Sequence, residues 1–143
     1  QINYGAAIDV WAVGCIFGEL LQLLPSIQPD WRQRRPLFPG TSCFPLSPTS
    51  ATCFRSETDQ LNIIFSVIGT PSVSAIERIE AGEDAKAYLH TLKHVPKTLM
   101  SKLFPSMGGS AMDLLEGMLS FATQDRLTLS SALLHPYIVQ EYR

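Results

Sequence analysis

The stretch Ala7-Ile8-Asp9-Val10-Trp11-Ala12-Val13-Gly14-Cys15-Ile16-Phe17-Gly18-Glu19-Leu20-Leu21 decides how the rest of this chain is read. Ile8, Trp11, Ala12, Cys15, Ile16, Leu20 and Leu23 recur at helical spacing on one face. Val10, Val13, Phe17, Leu21 and Leu24 fill much of the remainder. The pattern predicts a helix from about Ala6 to Leu24, ended by Pro25. A helix apolar nearly all round sits in the middle of a domain, with other elements packed around it. Gly14 and Gly18 lie four apart on it. Each costs about 1 kcal/mol against Ala inside a helix, so a close neighbour is expected at those points. The apolar run from Val10 to Leu24 is about 15 residues long, below the roughly 20 that cross a bilayer, and Glu19 and Gln22 interrupt it. A helix buried in protein is therefore expected, and a membrane-inserted hairpin is the weaker rival.

Composition agrees with one packed domain. The chain has 143 residues, 45% hydrophobic and 17% charged, too apolar for a disordered tail. Its formal net charge of -2 argues against a nucleic-acid binder or a polybasic membrane arm. Cys15, Cys43 and Cys53 are an odd, widely spaced set without a CxxC pair, which suits a reducing compartment. Gln1-Ile2-Asn3-Tyr4-Gly5 lacks both a basic leader region and an initiating Met, so the start reads as the interior of something longer.

Downstream, residues 25 to 57 hold six of the ten prolines and read as a long extended loop. A loop of that length is unusual inside a compact domain, so part of it is expected to be an insertion or a mobile excursion. Helical patterns then resume. Leu61, Ile64, Phe65 and Ile68 form one stripe, stopped by Gly69 and Pro71. Ser72 caps a short helix through Ile79. Ala85, Tyr88, Leu89 and Leu92 make another stripe. Ser110 is expected to cap a helix containing Ala111, Leu114, Leu115, Met118 and Leu119. Thr128 caps a last one with Leu129, Ala132 and Leu133, closed by His135-Pro136. No run alternates with period two, so the expected fold is all-α, five amphipathic helices around one central apolar helix.

Taken alone, these residues promise little chemistry. There is no GxGxxG, GxxxxGK or GxSxG. His90, His94 and His135 make no metal-ligand spacing with the cysteines, so no metal site is expected. His90 and His94 are four apart, but no third ligand stands near them, and surface histidines are the expectation. Arg32, Arg34 and Arg35 in an acidic chain read as a solvated or phosphate-facing loop rather than a nucleic-acid patch.

One family matches these residues in order. Ala7-Ile8-Asp9-Val10-Trp11-Ala12-Val13-Gly14-Cys15-Ile16 resembles the DxWxxGC segment that opens the central helix F of protein kinases. Arg35-Pro36-Leu37-Phe38-Pro39-Gly40, Asp59-Gln60-Leu61 and Ile68-Gly69-Thr70-Pro71 resemble the group of MAP kinases and cyclin-dependent kinases. Leu103-Phe104-Pro105, Asp113-Leu114-Leu115, Arg126-Leu127-Thr128 and His135-Pro136-Tyr137 fit the same group. The resemblance implies the helical C-lobe of a MAP-kinase-like Ser/Thr kinase over residues 1–143, with 72–95 as the MAP-kinase-type insert. It covers nearly the whole chain except Thr41 to Thr58, where this group has only a few residues, which implies a loop insertion at 41–58.

The resemblance also implies roles. Asp9, in the first turn where the helix dipole favours a carboxylate, would hold the backbone of a catalytic loop. Trp11 belongs to the same motif. Ile16 and Leu20 would support the hydrophobic column beneath adenine. Arg126 would pair with the Glu of an Ala-Pro-Glu motif; removing one partner of a buried pair costs about 3–5 kcal/mol. Leu61 and Tyr88 match two lining positions of a docking pocket, although Glu57 and Thr58 depart from the aromatic and aliphatic residues expected beside them. Pro45-Leu46-Ser47-Pro48 resembles a sequence that this kinase group phosphorylates, which makes Ser47 a possible phosphosite near Arg32, Arg34, Arg35 or Arg55.

Family catalytic motifs are not in these 143 residues. No catalytic residue is therefore expected in this chain, and ATP and Mg belong to the parent kinase. Implied partners are protein substrates and an upstream kinase, in the cytoplasm or nucleus, with no nucleic acid and no membrane. A non-catalytic helical interaction module is the competing reading.

Overall fold

A computed structural model describes residues 5–43 and 59–140 of the chain. Eight α-helices are described: α1 Ala6–Leu21, α2 Gln60–Ile68, α3 Val73–Arg78, α4 Glu83–Thr91, α5 Met100–Leu103, α6 Gly109–Met118, α7 Leu129–Leu133 and α8 Pro136–Gln140. A single 3₁₀ turn covers Trp31–Gln33. Among the described residues there is no strand, only one isolated bridge between Ser42 and Asp59. The fold is all-α, as the periodicities predict. No helix among the described residues is long and apolar enough to cross a membrane.

The chain divides into two compact units. One comprises Gln1–Arg35 and Leu99–Arg143. Its core joins Val10 of α1 to Leu114 and Met118 of α6 and Ala132 of α7, with Phe17, Leu127, Tyr137 and Ile138 packed around them. The Phe17 and Tyr137 rings meet in a tilted pair at 5.4 Å, a geometry that adds to plain area burial. Gly14 serves as expected: a β-carbon built there would stand 2.9 Å from Met118 Cβ, so α1 and α6 approach backbone to side chain at that point.

Three expectations about this unit are corrected. The first helix ends at Leu21, not Leu24. Pro25 disfavours the α conformation at the residue before it, and the chain tightens into i→i−3 turns, Leu23 N to Leu20 O at 2.9 Å and Leu24 N to Leu21 O at 3.2 Å. Second, α1 is not wrapped on all sides. Val10, Gly14, Gly18 and Leu21 are buried along one stripe, whereas Ile16 is 58% and Leu20 54% exposed. The reason is that α6 and α7 pack on the Val10 side, leaving the opposite apolar row in water. Third, α6 is capped by Gly108 and starts at Gly109, without the Ser110 cap. Two further helices also appear. α5 is a single turn fixed by the burial of Met100 and neighbouring Phe104. α8 begins on Pro136, which suits the first position of a helix because its missing N–H has no partner to lose.

The other unit is Pro36–Thr98. Asp59, almost wholly buried, caps α2 through Leu61 N. Gly69 ends α2 at φ +82°, where a β-carbon would stand 2.8 Å from Lys97 N. Ser72 caps α3 by accepting from Ala75 N at 3.2 Å. α3 and α4 pack on each other. Thr70 closes the base of this helical pair: its N–H donates to Val95 O at 2.9 Å, its hydroxyl donates to Lys93 O at 3.0 Å and accepts from Val95 N at 2.9 Å.

Candidate functional site

The residues named from sequence fall into separate places. Asp9, Trp11, Ile16, Leu20 and Arg126 lie in the first unit. Asp9 is exposed in the first turn of α1. Two residues on, Trp11 is half-buried. Ile16 and Leu20 occupy the exposed apolar row.

Arg126 is the best-held of the set. Its Nε donates to Ser120 O at 2.9 Å and its Nη2 to Phe121 O at 3.0 Å. Both carbonyls lie just beyond α6, at the end where helix carbonyls run out of partners and a cation is favoured. The third donor, Nη1, reaches Ala7 O in the first turn of α1 at 2.6 Å. The guanidinium carbon stands 5.0 Å from the centre of the Trp11 ring, within cation–π range. Burial pulls the Arg126 pKa below its ordinary value, and nearby Cys15 opposes that pull. The same burial, followed by Glu19, pushes the Cys15 thiol up. Arg126 thus joins the start of α1 to the end of α6 through main-chain oxygens. Carbonyl acceptors have no signature in sequence, so these partners were not legible in it.

A second link went unforeseen. His135, closing α7, places Nε2 3.0 Å from Asp113 Oδ2 on α6. Its Nδ1 accepts from Tyr137 N at 3.3 Å. His135 therefore carries its proton on Nε2 and fastens the entry to α8 onto α6. Asp113-Leu114-Leu115 and His135-Pro136 were the signal, but their juxtaposition was not.

Leu61 and Tyr88 lie in the second unit, both half-buried. Leu61 N donates to Asp59, and burial, then the charge of Asp59, raise the Tyr88 phenol above its ordinary value. Asp59 therefore stands near both. His90 pairs with Glu77 across α3 and α4 at 3.0 Å. No cluster of three or more His, Cys, Asp or Glu among the described residues suits a metal. Ser47, Arg55, Glu57, Thr58 and most of the 41–58 segment lie outside the described residues.

The all-α order, with the DxWxxGC helix at its start, is that of a protein kinase C-lobe. The chain is a MAP-kinase-like sequence. It is 37% identical over 140 residues, 98% of its length, to mitogen-activated protein kinase mpk-1 of Caenorhabditis elegans. It is equally similar, over the same share, to mitogen-activated protein kinase 4 of Oryza sativa subsp. japonica. Mitogen-activated protein kinase 6 of Arabidopsis thaliana is 38% identical over 95% of the chain. The chain spans 26%, 31% and 28% of these three relatives, respectively. No protein-family profile matches it.

Proposed function

We propose that this chain is the scaffold part of a Ser/Thr protein kinase that transfers the ATP γ-phosphate to Ser or Thr before proline. The observation that supports this is the exposed apolar row of α1, Ile16 and Leu20, on a helix whose other side is anchored to α6. That row is shaped to carry further chain, and Asp9 stands exposed at the same end as the Arg126 link. In this reading ATP and Mg are held by the family motifs that these 143 residues do not contain, the sequence holding no phosphate loop. What this chain supplies is position: Asp9 for a catalytic loop, Ile16 and Leu20 for the column beneath adenine, Trp11 and Arg126 for the frame around them.

Residues 72–95 act in this reading as the MAP-kinase-type insert, and 41–58 as a loop insertion. Leu61 and Tyr88 contribute to a docking surface for protein substrates and an upstream kinase, in the cytoplasm or nucleus. Ser47 is a phosphosite of this same kinase group.

Three measurements test the proposal. The coding sequence upstream of Gln1 should encode His-Arg-Asp, Asp-Phe-Gly and Ala-Pro-Glu; their absence would leave the non-catalytic interaction module as the function. The upstream-extended protein should phosphorylate a Ser-Pro peptide and spare its Ser-Ala counterpart, whereas the 143-residue chain alone should neither bind ATP tightly nor transfer phosphate. Intact mass after coexpression with an active MAP kinase reports on Ser47, and an unmodified Ser47 removes it as a phosphosite.

A further inference from the structure

We propose that the turn carrying Trp31 is a docking surface for an acidic peptide segment of a partner protein. Trp31 is 65% exposed, an unusual cost for the largest apolar side chain on a short turn. The Arg32 guanidinium lies 5.0 Å above its ring, so an aromatic face and a cation are presented together. Among the described residues, no carboxylate lies within ion-pair distance of Arg32, Arg34 or Arg35. Asp30, the one acid in the turn, is already occupied: Oδ1 accepts from Arg32 N at 3.0 Å and Oδ2 from the Gln33 side chain at 3.3 Å. Arg34 Nε is buried with no acceptor. The turn thus holds three arginines against one spoken-for acid, and its charge calls for carboxylates from outside.

The surface is held in shape before any partner arrives. Gln22 grips the Arg35 backbone twice, donating to its carbonyl at 2.8 Å and accepting from its N–H at 3.0 Å. Arg35 Nη1 donates to Arg32 O at 2.7 Å and Arg34 O at 2.9 Å. Gln33 N and Arg34 N close the turn onto Asp30 O and Trp31 O. A turn tied at so many points loses little conformational freedom on binding, and tryptophan and arginine are among the residues enriched at interface hot spots. An acidic peptide is favoured over a nucleic acid because the basic stretch is short and the whole chain carries a net charge of -2.

The test uses the 143-residue chain and a fluorescein-labelled peptide alternating Glu and Leu, titrated by anisotropy. Saturable binding that weakens with added salt is expected, with a Gln-for-Glu peptide failing to bind. Trp31→Ala and Arg32→Ala should each weaken binding about tenfold or more, while Trp31→Phe retains most of it. Both side chains are exposed, so circular dichroism and the thermal midpoint should match the parent chain. The proposal is overturned by no binding, by equal binding of the Gln peptide, by variants that bind like the parent, or by tighter binding of a short oligothymidylate than of the peptide.

Discussion

Gly14 and Met118 are so close that a β-carbon added to Gly14 would lie 2.9 Å from the Met118 Cβ. Leu119 Cδ2 would stand 3.1 Å away on the same side. Gly14→Ala should therefore destabilise the chain by about 1–2 kcal/mol, because overpacking outweighs the gain of about 1 kcal/mol in helix propensity. Gly109→Ala is the control: a β-carbon there meets nothing within 4 Å. It should leave stability unchanged or raise it by about 0.5 kcal/mol. Urea unfolding of both variants checks the contrast.

Arg126→Ala removes three charge-assisted hydrogen bonds that join α1 to the end of α6. A loss of about 2–4 kcal/mol is expected from the carbonyls left without donors. Arg126→Lys keeps the charge but not the planar fork, and should lose about half as much. Equal stability of Lys and Arg would show that charge alone matters. Denaturant midpoints, with the slope confirmed unchanged, give the answer.

The two sides of α1 should respond differently. Val10→Ala truncates a buried side chain and should cost about 2 kcal/mol. Ile16→Gln and Leu20→Gln alter exposed positions and should stay within about 0.5 kcal/mol of the parent. In the upstream-extended protein the same two substitutions should lower phosphoryl transfer at least about tenfold if the row carries the column beneath adenine. Stability of this chain and activity of the longer one then separate scaffold from core.

Alkaline pH should weaken the fold. Burial, then Glu19, raises the Cys15 thiol above its ordinary 9.0; burial, then Asp59, then Cys43, raises the Tyr88 phenol above its ordinary 10.0. Each group holds its proton more firmly folded than unfolded. Their contribution is complete below those ordinary values and is lost as pH rises through the raised folded ones. The urea midpoint should fall from about pH 8 to about pH 11, and Cys15→Ala with Tyr88→Phe should flatten that fall. An unchanged slope in the double variant would remove both groups as its cause.

Much of this was legible in the sequence, for reasons that differ by residue. Ser72, Thr128 and Gly69 act as expected, since caps and stops depend on chemistry within a few residues. α5 and α8 were missed because four and five residues are too few to show a period; helices that short are held by tertiary packing. The exposed row of α1 was missed for a related reason. An apolar residue states that it prefers burial, not which neighbour will provide it. For the candidate site, Arg126 was identified by resemblance, but its acceptors are backbone oxygens of Ser120, Phe121 and Ala7. Which oxygens approach a guanidinium is settled only by the path of the chain.

That path has a consequence for birth on the ribosome. Arg126 and Ala7 are 119 positions apart, so the nascent helix leaves the exit tunnel long before its fastener is made. At about 5–20 residues per second, the interval is roughly 6–24 s. For most of that time the newborn helix has neither its locking arginine nor α6 and α7, and an early stop codon before residue 109 would leave it so permanently.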